Sequence, residues 1–214
     1  MTQPDGLLSV DAVLDRISER LAHRFTGIVT AETTRRLVAE SYVALLRTSA
    51  VKQHVPSLTE HFAFERLTAV AQASGATIKA VPEVLFVCEQ NAGRSQIAAA
   101  LLDRIAIGRV HVRSAGSRPA GDLHPETRRL LEQVGADVST AFPKPLTDDV
   151  VRAADVVITM GCGDACPVYP GKRYEDWDVA DPDGADDARL AAIHDDLDSR
   201  VHALLADLID TESR

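Results

Sequence analysis

The sequence predicts an α/β protein in which a four-stranded parallel sheet with flanking helices follows a small all-α three-helix bundle. In the first third of the 214-residue chain, apolar residues recur at spacings of three and four, which is typical of amphipathic helices. After residue 82, short unbroken apolar runs alternate with helical patterns, which is typical of a parallel sheet covered by helices. We therefore expect two domains, a three-helix bundle over residues 1–77 and an α/β domain over residues 83–210.

Three segments of the first domain each carry one apolar face. Ser9 is a suitable cap for the first helix and Gly27 a suitable end. The second segment runs from about Thr30 to Ser49, and the third opens with the capping-box spacing Ser57-Leu58-Thr59-Glu60 and closes near Gly75. The apolar positions are Val10, Val13, Leu14, Ile17, Leu21 and Phe25, then Leu37, Val38, Tyr42, Leu45 and Leu46, then Phe64, Leu67, Val70 and Ala71. Short connections between three such helices favour a bundle.

The second domain alternates strands with helices. The run Val84–Val87 is apolar throughout, as expected of a strand buried on both faces of a sheet. Further strands are predicted at 110–112 and 156–159, and helices at 97–105, 125–134, 147–153 and 190–208. The acidic stretch 176–187 is predicted to be a loop.

Composition excludes several classes of protein. The chain has 23 basic and 32 acidic residues and a net charge of -9, which argues against a nucleic-acid or anionic-membrane binder. No apolar run approaches the roughly 20 residues that a bilayer span needs. Three cysteines cannot form a closed disulfide framework, and the polar start Met1–Asp5 is unlike a signal peptide. We expect a cytoplasmic protein whose cysteines are either buried or chemically active.

The stretch from Cys88 to Ser95 is the most informative one in the chain. It joins the end of a buried strand to the start of a helix, the place where parallel α/β folds bind ligands. Backbone N–H groups of such a loop point at an anion, and together with the guanidinium of Arg94 they favour a nucleophilic Cys88 thiolate. Asn91 and Gly93 suit a turn with left-handed backbone angles. The predicted oxyanion-binding residues are Glu89, Gln90, Asn91, Ala92, Gly93, Arg94 and Ser95.

The same stretch also has a purely structural interpretation. A bare Cys-x5-Arg pattern more often reflects a buried cysteine followed by a surface arginine. Here a serine follows Arg94, a strand precedes the pattern and a helix follows it. This context favours Cys88 as a nucleophile and Arg94 as a fork for two oxygens of a tetrahedral oxyanion.

Two further cysteines, Cys162 and Cys166, follow the predicted strand at 156–159. Hydrolysis of a phosphate ester has no use for them, whereas reduction of a bound oxyanion needs two electrons from a pair of thiols. A zinc clip is the structural alternative, but tetrahedral zinc needs four ligands and the chain offers only Cys88 and distant histidines to complete it. We therefore predict a redox pair and no metal.

The pattern Cys88-x5-Arg94-Ser95, with Ser114-Ala115-Gly116-Ser117 and Asp181-Pro182, resembles the low-molecular-weight protein tyrosine phosphatases. The resemblance covers residues 83–210 and implies their fold. It also implies that Cys88 attacks the tetrahedral centre, that Arg94 binds its oxygens and that Asp181 is the general acid. Only this resemblance singles out Asp181 within an acidic loop.

The additional cysteines and the helical extension resemble the thioredoxin-coupled arsenate reductases that are built on the phosphatase fold. The resemblance implies that Cys88 forms an adduct with arsenate and that Cys162 attacks it and releases arsenite. Cys166 then forms a disulfide with Cys162, which thioredoxin reduces. Only three residues separate Cys162 from Cys166, and attack by Cys166 first is the alternative order.

Other functions stay open at this point. A mycothiol-coupled arsenate reductase would need only Cys88, and a low-molecular-weight tyrosine phosphatase would need neither Cys162 nor Cys166. A binding module is the alternative from another class, with the helices acting in docking or sensing. We expect no bound cofactor, electrons from thioredoxin or mycothiol, a role in arsenic detoxification, and a possible homodimer formed through the N-terminal helices.

Overall fold

The computed structural model describes residues 9–161 and 166–212. Its internal contacts divide the chain into two compact units, Met1–Ile78 and Lys79–Arg214. The predicted architecture is confirmed: three helices precede a parallel sheet of four strands with flanking helices. Over the described residues, no helix is long and apolar enough to cross a membrane.

The first unit consists of α1 (Val10–Arg24), α2 (Ala31–Thr48) and α3 (Val55–Ala73), with a short 3-10 turn before α3. The Ser9 hydroxyl accepts a hydrogen bond from the backbone of α1, and Thr30 does the same for α2, so both helices start where their sequences predict. The buried apolar side chains that join the three helices are Ile17, Leu21, Phe25, Leu37, Val38, Ala63 and Leu67.

The start of α3 differs from the prediction. The helix begins at Val55, two residues before the capping-box serine Ser57, and no side chain caps its first turn. Pro56 occupies one of the first helical positions, where a missing N–H is tolerated and a fixed φ is favourable. The predicted start at Ser57 was wrong because Pro56 favours helical backbone angles one residue earlier, so Ser57 lies inside the first turn and does not cap it.

The second unit is built on a sheet with the strand order β2-β1-β3-β4 and parallel pairing throughout. Its strands are β1 (Glu83–Cys88), β2 (His111–Gly116), β3 (Val156–Met160) and β4 (Arg173–Asp176). Its helices are α4 (Arg94–Ala106), α5 (Pro125–Gln133), α6 (Asp148–Ala153) and α7 (Asp187–Glu212). Because β1 and β3 are neighbours in register, Cys88 lies beside Met160 at the carboxyl edge.

Strand β2 begins and ends later than its apolar pattern predicts. It includes the buried Arg113, 3% exposed, whose guanidinium donates to the carboxylate of the fully buried Glu83 on β1. Two opposite charges in adjacent strands can be buried together, although neither residue resembles a core residue in the sequence. Because Arg113 is charged, the apolar pattern of the sequence ends at residue 112, and the predicted strand ended there too.

The core of the second unit forms where α4 and α7 pack against the sheet. Every residue of β1 is buried, and the apolar face of α7 extends from Leu190 to Leu208. The edge strand β4 is polar and partly exposed, which is why no apolar run revealed it. The result is a rigid platform whose carboxyl edge carries the loops described next.

Candidate active site

Cys88 lies at the end of β1 and at the bottom of a loop that leads into α4. Its side chain is only 2% exposed. The backbone N–H of Asn91 donates to its Sγ over 3.2 Å, and its Sγ lies 3.0 Å from Oγ of Ser95. The sequence-predicted Cys88, Asn91 and Ser95 are therefore brought together, with two hydrogen-bond contacts around the sulfur.

Asn91 fixes the shape of this loop. Its φ of 50° lies in the left-handed region, as predicted. The amide Nδ2 donates to Ser95 Oγ over 2.8 Å, while Oδ1 accepts from the backbone N–H of Lys144 at 2.8 Å and from Nε2 of Gln96 at 3.0 Å. Nε2 of Gln96 also donates to the carbonyl of Phe142 over 2.8 Å. The turn is held from both sides by buried polar groups.

The carbonyl groups of the loop point outwards. Those of Cys88, Glu89, Gln90 and Ala92 accept hydrogen bonds from backbone N–H groups in the segment 117–124, at 2.8 to 3.1 Å. In a trans peptide unit, the N–H that follows a carbonyl points the opposite way. The loop N–H groups therefore face the opposite side, where that of Asn91 contacts the Cys88 sulfur. Such an arrangement can bind an oxyanion, and we refer to it as the cradle.

Gly116 permits this close approach of the loop to β2. A Cβ at this position would lie 2.8 Å from the carbonyl oxygen of Glu89 and 2.9 Å from the backbone nitrogen of Asn91. Because both neighbours are backbone atoms, a side chain could not be accommodated by a rotamer change. The Ser-Ala-Gly motif of the sequence thus has a physical reason in this structure.

Arg94 and Asp181 form an ion pair at the mouth of the cradle. Nη2 of Arg94 lies 3.0 Å from Oδ2 of Asp181, and the side chains are 17% and 50% exposed. The other carboxylate oxygen of Asp181 accepts from the backbone N–H of Asp183 over 3.1 Å. The structure thereby brings the predicted general acid to the predicted oxyanion-binding arginine.

Gly93 and His124 position the loop that carries Asp181. A Cβ on Gly93 would lie 2.7 Å from Cγ of Pro182 and 3.4 Å from Cδ2 of His124. The backbone N–H of His124 donates to the carbonyl of Ala92, and its Nδ1 lies 3.5 Å from Oδ1 of Asp183. The prediction of a left-handed backbone angle at Gly93 was wrong, since the φ of Gly93 is -140°. A glycine is needed there because the Asp181 loop packs against it.

Glu89 and Gln90 form the outer rim of the cradle. The carboxylate of Glu89 pairs with the exposed guanidinium of Arg118, and the backbone carbonyl of Gln90 binds the N–H of Ala120. This pairing reduces the repulsion that a carboxylate next to Cys88 would exert on an anion.

The segment that contains the other two cysteines leaves β3 next to Arg94. Gly161 has a φ of 73°, and a Cβ there would lie 3.0 Å from Nη1 of Arg94. Cys162 lies outside the described residues. Cys166 is half-buried, and the structure describes the chain again from this residue onwards.

Tyr174 of β4 is adjacent to Cys166. Burial raises the pKa of its phenol, and the negative charge of the Cys166 thiolate raises it further. Both effects favour the protonated phenol, the form that can donate a hydrogen bond. Within residues 9–161 and 166–212, no group of three His, Cys, Asp or Glu side chains is arranged to hold a metal ion.

Sequence reasoning missed several residues that shape the site. His124, Gln96, Gly161 and Tyr174 are not among the site residues that the sequence predicts. Their roles depend on which strands and loops become neighbours, so no local pattern in the sequence indicates them.

Comparisons with known proteins cover both units. The model of the protein-tyrosine-phosphatase-like N-terminal domain matches residues 14–71, and that of the low molecular weight phosphotyrosine protein phosphatases matches residues 83–214. The glutaredoxin arsenate reductase of Synechocystis is 32% identical over 127 residues, which are 58% of this chain and 96% of that protein. An arsenate reductase of Bacillus subtilis is 33% identical over 46% of this chain and 73% of its own length.

Two solved structures are also similar. The thioredoxin-dependent arsenate reductase of Corynebacterium glutamicum superimposes with a TM-score of 0.84 and 48% identity, over 94% of this chain and 98% of that one. An arsenate reductase in the phosphate binding state gives a TM-score of 0.51 and 30% identity, over 60% of this chain and 99% of that one.

Proposed function

The chain belongs to the arsenate reductases of the low molecular weight phosphotyrosine protein phosphatase family, and from this premise we propose that it reduces arsenate to arsenite with electrons from thioredoxin. Cys88 is the nucleophile of the proposed reaction, and Cys162 and Cys166 supply the second thiol and the final disulfide. The coupling to thioredoxin is supported by the similarity to the Corynebacterium glutamicum enzyme, which extends over both units.

One observation carries this proposal beyond phosphatase chemistry. Gly161, the residue before Cys162, lies against the Arg94 guanidinium at the carboxyl edge of the sheet. The chain segment that bears the two additional thiols therefore starts at the oxyanion cradle itself. A phosphatase has no use for thiols at this place, whereas a reductase requires them there.

Binding of arsenate requires Arg94 to exchange partners. The oxyanion enters the cradle of loop N–H groups and binds the Arg94 guanidinium in place of Asp181. Asp181 remains nearby because Pro182 packs on Gly93. The exchange thus releases a carboxyl group next to the arsenate oxygen that has to leave.

The first chemical step forms a bond between Cys88 and arsenic. The thiolate attacks arsenic(V), and the bond from arsenic to the hydroxyl opposite the thiolate breaks. Asp181, which takes up a proton from solvent once arsenate has replaced it on Arg94, donates that proton to the leaving hydroxyl, which departs as water. Asn91 N–H and the Ser95 hydroxyl, both in contact with Sγ, stabilise the thiolate before attack.

The second step reduces arsenic. The Cys162 thiolate attacks Sγ of Cys88, a sulfur–sulfur bond forms, and the electron pair of the sulfur–arsenic bond stays on arsenic, which leaves as arsenite. The two electrons gained by arsenic equal those lost by the two thiols. Cys166 then attacks Cys162, Cys88 departs as a thiolate, and thioredoxin reduces the Cys162–Cys166 disulfide.

The two parts of the chain have different proposed roles. The α/β domain over residues 83–210 contains every residue of the proposed chemistry. The three-helix bundle over residues 1–77 contributes none of them, and its cysteine-free sequence fits a role in stabilisation or association, including a homodimer.

The test is arsenate-dependent oxidation of NADPH in the presence of thioredoxin and thioredoxin reductase. We expect turnover by the wild type, none by Cys88→Ser, and loss of multiple turnover in Cys166→Ser. Glutaredoxin and mycothiol are supplied in parallel, since the Synechocystis relative is named for glutaredoxin. Equal rates for the wild type and Cys166→Ser would contradict the proposed relay.

Hydrolysis of p-nitrophenyl phosphate provides the control for fold and nucleophile. It needs Cys88 and Arg94 but neither Cys162 nor Cys166. The Cys162→Ser/Cys166→Ser double variant should keep whatever phosphatase activity the wild type has while its arsenate turnover is lost. Loss of both activities would indicate damage to the cradle.

A further inference from the structure

The side chain of Tyr174 forms hydrogen bonds with the backbone that follows Cys166. The hydroxyl of Tyr174 accepts a hydrogen bond from the backbone N–H of Tyr169 at 2.9 Å and lies 3.3 Å from the carbonyl oxygen of Pro167, to which it donates. Tyr174 belongs to β4, where it pairs with Val157 of β3. A side chain of the sheet therefore holds two backbone groups within three residues of Cys166.

A second contact fixes the same segment from the side of α6. The guanidinium of Arg152 lies 4.3 Å from the centre of the Tyr169 ring, a cation–π contact, and Arg152 is paired with Asp148 one helical turn earlier. Pro167 and Pro170 flank Val168 and Tyr169 and restrict the backbone further. Cys166 thus continues into a stretch that is held at several points.

We propose that Tyr174 is a positioning residue for Cys166. Its phenolic hydroxyl fixes the backbone that follows this cysteine, so that the Cys166 thiol reaches the Cys88–Cys162 disulfide that forms as arsenite leaves. The proposal rests on the proposed function. In the step concerned, Cys166 Sγ bonds to Sγ of Cys162, the Cys88–Cys162 bond breaks, and Cys88 leaves as a thiolate. The proton of the Cys166 thiol goes to solvent, and the number of disulfides stays the same.

The charge at Cys166 is compatible with this role. Because the nearby thiolate and burial both favour the protonated phenol, Tyr174 keeps its hydrogen-bond donor while Cys166 is reactive. The same hydroxyl can therefore hold the Pro167 carbonyl throughout the exchange.

The substitution Tyr174→Phe removes both hydrogen bonds and keeps the ring on β4. The reduced variant is mixed with arsenate without any external reductant, quenched with an alkylating agent at intervals, and its disulfides are mapped by mass spectrometry. Arsenite release is followed in the same samples, and the thioredoxin-coupled kcat and KM are measured separately. Tyr42→Phe, the same chemical change in α2, is the matched control.

We expect arsenite release by Tyr174→Phe at the wild-type rate, followed by accumulation of the Cys88–Cys162 disulfide. Its coupled kcat should fall about tenfold, as for the loss of one to two hydrogen bonds, with an unchanged KM for thioredoxin. A purely structural effect would slow arsenite release as well. Arg152→Gln, which loosens the segment without touching Tyr174, should slow the same step to a smaller extent.

The following outcomes would overturn the proposal. If Tyr174→Phe proceeds to the Cys162–Cys166 disulfide at the wild-type rate, the positioning role is wrong while the proposed function stands. If the wild type itself releases no arsenite, the proposed function fails and this proposal fails with it. If Tyr174→Phe does not fold, Arg152→Gln decides, and a wild-type rate of disulfide exchange in that variant overturns the proposal.

Discussion

Arg94 holds a carboxylate in the position where the proposed reaction needs an arsenate oxygen. Its partner Asp181 is half exposed, and an ion pair of such exposure contributes only about 0–1 kcal/mol to stability. In the proposed reaction, an incoming oxyanion that also binds loop N–H groups replaces Asp181 on Arg94. The ion pair thus keeps Asp181, the proposed general acid, next to the cradle.

Replacing Asp181, the proposed general acid, should affect kcat and KM for arsenate differently. In Asp181→Asn we expect kcat for arsenate to fall by about 100-fold or more, because proton donation to the leaving oxygen is lost. The KM for arsenate should not increase, because Arg94 no longer has a competing carboxylate. Steady-state kinetics with thioredoxin test this, with Asp178→Asn as the control on the same exposed loop. A rise in KM with unchanged kcat would contradict the assigned role.

Individual residues of the site differed in how well the sequence predicted them. Cys88, Arg94 and Ser95 could be predicted because they form one continuous motif between a buried strand and a helix. Asp181 could be reached only through a family resemblance, since an isolated aspartate in an acidic loop has no signature of its own. Gln96 and His124 could not be predicted, because their partners come from distant segments.

At the level of secondary structure elements, the junction after β3 links the cradle to the thiols. Gly161 has a positive φ and lies close to Arg94, while Gly171 has a φ of 78° and no atom within 4 Å of a hypothetical Cβ. The two glycines share the same backbone requirement but differ in their surroundings. They form a matched pair for testing the contact with Arg94.

In Gly161→Ala the new methyl group should displace the Arg94 guanidinium and lower kcat/KM for arsenate by about tenfold. Both Gly161→Ala and Gly171→Ala should lose about 1 kcal/mol of stability from the left-handed backbone angle. Urea denaturation and steady-state kinetics distinguish the two effects. Equal activity of the two variants would show that the Gly161 contact does not position Arg94.

Strands β1 and β2 are joined by the buried ion pair of Glu83 and Arg113. Burial alone would raise the pKa of Glu83. The Arg113 guanidinium and the His111 imidazole outweigh this effect and hold the pKa of Glu83 below its ordinary value. Nδ1 of His111 lies 3.5 Å from Oε2 of Glu83. A carboxyl group of this kind stabilises the fold above its unfolded pKa, and the contribution is lost as the pH falls through its lower folded pKa.

We therefore expect Glu83→Gln to lower the free energy of unfolding at pH 7 by about 3–5 kcal/mol, because Arg113 stays buried without its counter-charge. The difference from the wild type should shrink as the pH falls below about 4 and wild-type Glu83 becomes protonated. Urea denaturation over this pH range measures the effect, with the exposed Glu132→Gln on α5 as the control. A difference that does not depend on pH would contradict this explanation.

Whole elements were predicted where an apolar period is long, as in α1, α2 and α7. The sequence could not indicate β4, whose polar residues form an edge strand, or the later bounds of β2, which depend on the Glu83–Arg113 pair. The start of α3 was misplaced because two local signals, Pro56 and the Ser57 capping box, compete. In each case a contact or a competing local preference overrides the periodicity.

For the molecule as a whole, a net charge of -9 opposes the approach of an anion, so affinity has to come from the cradle itself. Phosphate, a tetrahedral oxyanion like arsenate, should bind the same cradle. Binding to the folded state alone increases stability by about 2.7 kcal/mol at a concentration of 100 times Kd.

Phosphate should accordingly raise the urea midpoint of the wild type and have little effect on Arg94→Gln. The exposed Arg104→Gln on α4 keeps the cradle and serves as the charge-matched control. Isothermal titration gives the Kd for each protein. Equal stabilisation of all three proteins would mean that phosphate binds elsewhere on the molecule.

The most direct test of the central claim is a count of thiols after one turnover. The fully reduced protein, which contains three cysteines, is mixed with arsenate in the absence of any other reductant, and arsenite and remaining thiols are measured. The proposed relay predicts one arsenite released per chain, a decrease from three thiols to one, and a Cys162–Cys166 disulfide in the peptide map. Three remaining thiols and no arsenite would contradict the claim that the protein's own cysteines reduce arsenate.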